Sequence, residues 1–204
     1  DRGGGTLPAH NSHSGEPLTM DVTLRTPRLT LRQPVLDDAS RIARFLDNFA
    51  VAGNLSRVPY PYRLADAKAW LRTWRPDTPA GETGFMIDLD GEGVIGNVGF
   101  HRDIEGTVIG YWLAQPFWNR GLMSEAVRAS LDWYFETTAA PTLASGVFHF
   151  NKASLAIQKK AGFVEIGTSS RLCLARGEEV RHIDTELTRT AWMAHRQATR
   201  ESTR

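Results

Sequence analysis

The sequence predicts an α/β fold of the α+β type: a mixed, mostly antiparallel central sheet with helices on both faces. Three observations carry that prediction. Runs that alternate apolar and polar residues recur along the chain, and two of them are joined across Asp90-Gly91, the dipeptide of a tight hairpin. Between such runs lie segments whose apolar residues fall at helical spacing. The 204 residues, 41% hydrophobic and 23% charged, have the composition of an ordinary soluble domain with a sizeable core.

Each element follows from local chemistry. Arg28-Leu29-Thr30-Leu31-Arg32 alternates as a strand with Leu29 and Leu31 on one face. Pro34 ends it, and Asp37-Asp38 open a helix whose stripe is Ile42, Phe45, Leu46 and Phe49. Arg57-Val58-Pro59-Tyr60-Pro61-Tyr62 cannot continue a helix and makes an aromatic loop. A second helix, over about 65–74, carries Trp70, Leu71 and Trp74. The hairpin strands span 83–89 and 94–102, and a third strand spans 108–114. The next helix turns Leu122, Met123, Ala126, Val127, Leu131, Tyr134 and Phe135 toward the sheet. Residues 143–150 form a strand, Asn151 starts a helix, and 164–174 and 179–188 close the fold as a hairpin over Arg176-Gly177.

This single domain covers 20–192. Residues 1–19, with Gly3-Gly4-Gly5, read as a flexible leader or extension, with Met20 a candidate start. Residues 193–204 read as a polar, solvated tail, in which Arg196, Arg200 and Arg204 are diluted by polar neighbours. A net charge of +1 gives no call for nucleic acid or an anionic membrane as partner, and no run nears the ~20 apolar residues of a membrane span. One cysteine, Cys173, excludes an intramolecular disulfide and suits a reducing cytoplasm. No metal site is expected, since His10 and His13 lie in the polar leader.

The most informative stretch is Tyr111-Trp112-Leu113-Ala114-Gln115-Pro116-Phe117-Trp118-Asn119-Arg120-Gly121-Leu122-Met123-Ser124-Glu125-Ala126. It reads as a strand, a turn and a helix start. First-turn amides have no intrahelical acceptor and sit at the positive end of the helix dipole. Gly121 lets an anion approach that backbone closely. Neither the dinucleotide G-x-G-x-x-G nor the G-K-[ST] of a nucleotide-triphosphate loop is present. A second element lies downstream. Asn151-Lys152-Ala153-Ser154 precedes a short helix ending at Ala161-Gly162-Phe163. Asn151 can cap that helix or bond an amide-bearing ligand, and Gly162 suits a left-handed stop.

Together, in this order and separation, the two elements resemble the GNAT superfamily of N-acetyltransferases. "Gly-Tyr-Trp-Leu-Ala" and "Gly-Leu-Met-Ser-Glu-Ala" resemble the branch of ribosomal-protein alanine N-acetyltransferases, over roughly residues 22 to 189. The resemblance implies a V-shaped split between the strand before the loop and the strand before Asn151. Acetyl-CoA would lie there, its diphosphate on Asn119, Arg120, Gly121, Leu122, Met123 and Ser124 and its pantetheine beside Asn151 and Ser154. A backbone N–H near Trp112 or Leu113 would face the acyl oxygen. Transfer would be direct, to a primary amine of a peptide N-terminus or a small molecule, with a homodimer left open.

The chain also departs from the family pattern. Val108 stands where this branch commonly has Glu, and Gln158 stands where many members have a thiolate-protonating Tyr. Met123 fills a slot often held by Gly or Ala, which backbone binding tolerates. Ser154 resembles the serine proposed to act near sulfur, and its other role is hydrogen bonding at a helix start. His149 is expected to share a strand face with Asn151, and His101 with Asn97 and Gly99. Asp103 and Glu105 fall in a loop, so the ammonium is expected to lose its proton through water, helped modestly by His101 or His149. Tyr60 and Tyr62 would either line the acceptor pocket with the first two helices and the closing hairpin or simply pack within their proline-rich loop. The missing carboxylate and phenol keep a second reading open, a non-catalytic acyl-CoA-binding sensor or scaffold.

Overall fold

In a computed structural model, the structure describes residues 22–75, 78–104 and 106–201. The leader (1–19), Met20 and Glu105 lie outside the described residues. Eight strands form one sheet in the order β1-β2-β3-β4-β5-β6-β8-β7. They are β1 Leu24–Arg25, β2 Leu29–Arg32, β3 Gly84–Leu89, β4 Gly93–Asp103, β5 Gly106–Leu113, β6 Thr142–Phe148, β7 Val164–Cys173 and β8 Glu178–Thr188. The helices are α1 Ala39–Leu46, α2 Phe49–Ala52, α3 Leu64–Leu71, α4 Leu122–Thr137, α5 Lys152–Lys160 and α6 Arg189–Glu201.

All strand pairs are antiparallel except β5–β6. That parallel pair meets at a single register point, Val108 opposite Ala144. Beyond it the two strands separate, and the sheet splits. The expected V-shaped opening is therefore present, with Val108 and Ala144 at its apex.

Helix α4 seats the core. Its buried face is Leu122, Met123, Ala126, Val127, Ser130, Leu131, Tyr134 and Phe135, the seven apolar positions of the expected stripe plus one serine. Tyr134 stacks on Phe100 of β4 at 4.8 Å, and Trp133 meets Phe85 of β3 edge-on at 5.0 Å. Such aromatic pairs add about 0.5–1.5 kcal/mol each beyond the area they bury. This anchoring fixes α4, and hence its N-terminus, against the strand that leads to it.

The first helix differs from expectation. The chain enters through a 3-10 turn at Leu36–Asp38, and the helix stops at Leu46. Phe49 belongs to the separate α2, capped by Asn48, and is 40% exposed. The Asp47-Asn48 pair favours side-chain bonding to backbone over helix continuation: Asn48 Oδ1 accepts from Ala50 N, and Asp47 Oδ1 accepts from Tyr62 N. At the other end, residues 193–201, read above as tail, continue α6 as helix. Trp192 is buried and donates to Asp132 of α4, and Arg196 pairs with Glu136. Arg189 donates to the carbonyls of Phe135, Thr138 and Ala140, closing the C-terminal end of α4.

Candidate active site

The loop before α4 is a backbone cradle. Asn119 (φ 60°) and Gly121 (φ 73°) both take left-handed conformations, so the peptide groups between them turn to one side as an anion nest. The first helical bond of α4 is Glu125 N to Gly121 O at 3.1 Å. The N–H groups of Leu122, Met123 and Ser124 therefore precede any intrahelical partner. Leu122 and Met123 bury their side chains in the core, which leaves only their backbone at the cradle. Met123 is thus no obstacle at its slot. A Cβ at Gly121 would meet only Arg28 Nη2 at 3.5 Å, so the glycine is there for its left-handed backbone.

Two braces hold the cradle. Trp118 Nε1 donates to Leu113 O at 2.7 Å, pinning the loop to the end of β5. Arg28 Nη1 donates to Arg120 O at 2.9 Å, while its Nε bonds Glu125 Oε2 at 2.7 Å and Thr26 Oγ1 donates to Glu125 Oε1 at 2.6 Å. Burial pushes the Glu125 carboxyl up, but the Thr26 and Arg28 bonds outweigh it and hold the group below its ordinary value. Arg28 also brings a cation beside the anion nest.

The cradle opens into a cleft of about 1270 Å³ that follows the split. Its two sides carry different groups, because side chains alternate along each strand. On the α5 side, Asn151 Oδ1 accepts from Ser154 N at 3.1 Å, capping α5. Capping uses only the amide oxygen, so both N–H donors of Asn151 stay available. Ser154 Oγ donates to Tyr111 Oη at 2.9 Å, and Tyr111 Oη donates to Ser154 O at 3.3 Å. Burial first of all pushes the Tyr111 phenol up to about 12, against the opposing bonds from Ser154 and Gln158. It stays a protonated donor throughout the neutral range. Gln158 is buried and links three elements: its Nε2 donates to Ser145 Oγ of β6, and its Oε1 accepts from Thr185 Oγ1 of β8.

The backbone of β5 can be assigned by the same alternation. Ala114 N bonds Ile95 O on the β4 side, whereas Ile109 O receives Ser145 Oγ and Leu113 O receives Trp118 Nε1 on the open side. Odd-numbered residues of β5 therefore direct N–H and C=O into the split. Tyr111 and Leu113 offer their N–H groups there. Trp112 is paired with Asn97 and turns its own toward β4.

The opposite side of the cleft is lined by other groups. Val108 and Ala144 form its floor, with His101 and Asp103 from β4 and Ser169, Arg171, His182 and Asp184 from the closing hairpin around it. His101 is partly buried, and burial, then Arg57, lowers its imidazole to about 4, with Asp103 opposing and Arg171 adding to the shift. Asp103, expected in a loop, ends β4, and its carboxylate lies 3.8 Å from Arg171 across the cleft mouth.

Of the residues singled out from sequence, the cleft gathers Trp112, Leu113, Asn119, Arg120, Gly121, Leu122, Met123, Ser124, Asn151, Ser154 and His101. It does not include His149, Tyr60 or Tyr62. Strand β6 ends at Phe148, and Asn151 N turns back onto Phe148 O at 2.8 Å, so the alternation that would have put His149 beside Asn151 stops. His149 is exposed, with Nδ1 3.2 Å from Arg181 O. Tyr62 is 7% exposed and belongs to the core, while Tyr60 lies edge-on to Phe49 at the surface. Burial of the Tyr62 ring decides the direction of that loop, and Ser56, Arg57 and Val58 reach the cleft instead. Tyr111 and the His182–Asp184 pair were missed. Tyr111 lay in plain view within the loop motif; the histidine and aspartate needed the β8 register.

The comparisons with known proteins agree with this architecture. Residues 28–164 match the acetyltransferase (GNAT) domain family, and the chain belongs to it. It is an acetyltransferase of that family. An uncharacterised N-acetyltransferase, p20, of Bacillus licheniformis is 27% identical over 150 residues, covering 71% of this chain and 84% of that protein. Among solved structures, RimJ of Mycobacterium smegmatis in complex with CoA-disulfide superposes with a TM-score of 0.73 at 21% identity, covering 84% of this chain and 90% of the other. The ribosomal-protein-S5-alanine acetyltransferase of Vibrio fischeri gives 0.72 at 19% identity, covering 84% and 99%. These two likenesses concern the fold. Among the described residues no helix is long and apolar enough to cross a membrane.

Proposed function

We propose that this chain transfers an acetyl group from acetyl-CoA directly to a primary amine, on a peptide N-terminus or a small molecule. The observation that carries the reading is the backbone nest of 119–124 at the open end of a split parallel pair. A diphosphate fits a site made of unpaired N–H groups, a helix dipole and the Arg28 cation. Asn151 would hold the pantetheine arm through its free amide donors, and the N–H groups of Tyr111 and Leu113 would face the acyl oxygen. When bound, acetyl-CoA supplies an acyl group already activated as a thioester. Tyr111, bonded to Ser154, would return a proton to sulfur by turning its O–H from Ser154 O, and would thus stand in for the phenol absent at Gln158.

Support for the cofactor also comes from the neighbours: one solved structure of this fold holds CoA-disulfide, and another enzyme of the fold acts on ribosomal-protein alanine. The missing carboxylate at Val108 does not count against transfer, because positioning supplies much of the rate. The test is release of free thiol from acetyl-CoA across a panel of peptides with N-terminal alanine or serine and small primary amines. Mass spectrometry of the acceptor should show an acetyl adduct. Tight acetyl-CoA binding by calorimetry with no acetylated product from any amine would instead make this a binding protein.

A further inference from the structure

We propose that His182, held by Asp184, is the general base that takes the proton from the acceptor ammonium; this rests on the amine-acetylation reading above. His182 Nδ1 lies 2.8 Å from Asp184 Oδ1, and Ser169 Oγ donates to the same oxygen at 2.8 Å. A carboxylate only accepts, so Asp184 fixes the imidazole proton on Nδ1 and leaves Nε2 as the acceptor. Among the described residues Nε2 has no hydrogen-bond partner, and the residue lines the cleft. The side chain is 17% exposed, which makes it accessible yet held.

Its placement is built into the sheet. In the β6–β8 register, Asp184 stands opposite Gly146 and His182 opposite Phe148, on the face that carries Ala144 at the apex. The imidazole leans back over Gly146: a Cβ there would collide with His182 Cε1 and stand 2.7 Å from Ile183 O. Gly146 thus clears the space that brings His182 toward the apex of the split. Phe148 meets the ring edge-on at 5.9 Å and limits its rotation. Oriented by a carboxylate on one nitrogen and open on the other, the group has the arrangement a base requires.

The protons balance as follows. The ammonium R–NH3+ gives one proton to His182 Nε2, and the freed lone pair forms the N–C bond as the C–S bond breaks. The C–S electron pair leaves on sulfur. The nitrogen's second surplus proton and the Tyr111–Ser154 hydroxyls account for the proton that sulfur receives, and His182 returns its own proton to water. The net products are the amide, free thiol and one proton in solution.

The test compares wild type, H182Q and D184N on the panel acceptor that wild type acetylates fastest, and on hydroxylamine, an acceptor already neutral near pH 7. With the ammonium acceptor, H182Q should lose on the order of 10²–10⁴ in kcat and its acidic limb, with partial recovery at high pH. D184N should lose less and shift that limb. Hydroxylamine turnover and acetyl-CoA affinity by calorimetry should change by no more than about threefold. The other charged and titratable groups lining this side are Arg57, His101, Asp103 and Arg171; His101, held near 4, stays uncharged across neutrality. Imidazole nitrogen NMR gives a readout independent of turnover: His182 should be the Nδ1–H tautomer in wild type and lose that bias in D184N. An H182Q enzyme that keeps its rate and acidic limb overturns the assignment while leaving acetylation intact. Equal loss with hydroxylamine would show a structural role and also overturn it. Absence of acetylation in wild type would overturn the functional reading, and the base with it.

Discussion

The two sides of the split use different parts of the chain. On the β5–α4 side the anion cradle is made of backbone: left-handed Asn119 and Gly121 and the first N–H groups of α4, with Leu122 and Met123 turned into the core. On the β8–β7 side the working groups are side chains, His182, Asp184 and Ser169, assembled by register from two strands. A backbone site tolerates nearly any side chain that leaves the path open, and it is broken by adding atoms or charge. A side-chain site is broken by removing one group. Tyr111 belongs to both descriptions, since its N–H points into the split and its phenol meets Ser154 on the α5 side.

The largest effect expected from that contrast comes from Gly121→Asp. Aspartate tolerates the left-handed region, so the fold should survive while a carboxylate enters the nest. Acetyl-CoA affinity measured by calorimetry should fall on the order of 100-fold, about 2.8 kcal/mol. Gly121→Asn, which keeps the backbone preference without the charge, should stay within about tenfold of wild type. Equal damage from Asn and Asp would show that space rather than charge governs the cradle, and would break the contrast.

Tyr111→Phe comes next, because it removes one group and leaves the backbone donor in place. Turnover should drop about 10²-fold with acetyl-CoA affinity unchanged. Ser154→Ala should cost less, since the phenol remains, and the double variant should resemble Tyr111→Phe alone if the two hydroxyls act as a unit. A Tyr111→Phe enzyme with weaker cofactor binding and unaltered turnover would make the phenol a packing group.

How much of this could be read beforehand follows the same division. The α4 stripe, the Asp90-Gly91 hairpin and the Asn151 cap are local, set by helical period, turn chemistry and a side chain bonding three residues on. The cradle was legible for that reason: strand, turn and helix start are contiguous. His182 and Asp184 were not, because nothing in the segment 178–188 says which strand it joins. Only the pairing of β8 with β6, rather than with β5, puts the pair beside the split. His149 failed by the converse route, since a strand expected to 150 ends at 148 and the alternation argument ran past its end. Tyr62 took the packing role of its two readings, because an aromatic ring next to an apolar core is drawn inside regardless of the loop that carries it.

The smallest effect expected concerns His101, and it separates a histidine that faces the cleft from one that works there. Its imidazole is lowered to about 4, by burial first and then by Arg57, with Arg171 adding to the shift and Asp103 partly opposing it. It is already neutral at pH 7, and a base with so strong a conjugate acid takes little from an ammonium. His101→Gln should therefore lower turnover less than about tenfold and leave the acidic limb of the rate profile in place. Its consequence lies in stability. Because the folded value sits below the unfolded ~6.5, the unfolded chain binds more protons between pH 6.5 and 4. Stability is then fully present above 6.5, declines as pH falls through that window, and levels off below about 4 so far as this group is concerned. Discounted to about 1 kcal/mol for its solvent contact, the decline corresponds to a shift of about 2–4 °C in Tm. From pH 7 to 4 the Tm of wild type should fall relative to that of His101→Gln by that amount, read from thermal melts of both. Parallel curves would mean that the imidazole keeps an ordinary affinity for its proton, and would return His101 to candidacy as the base.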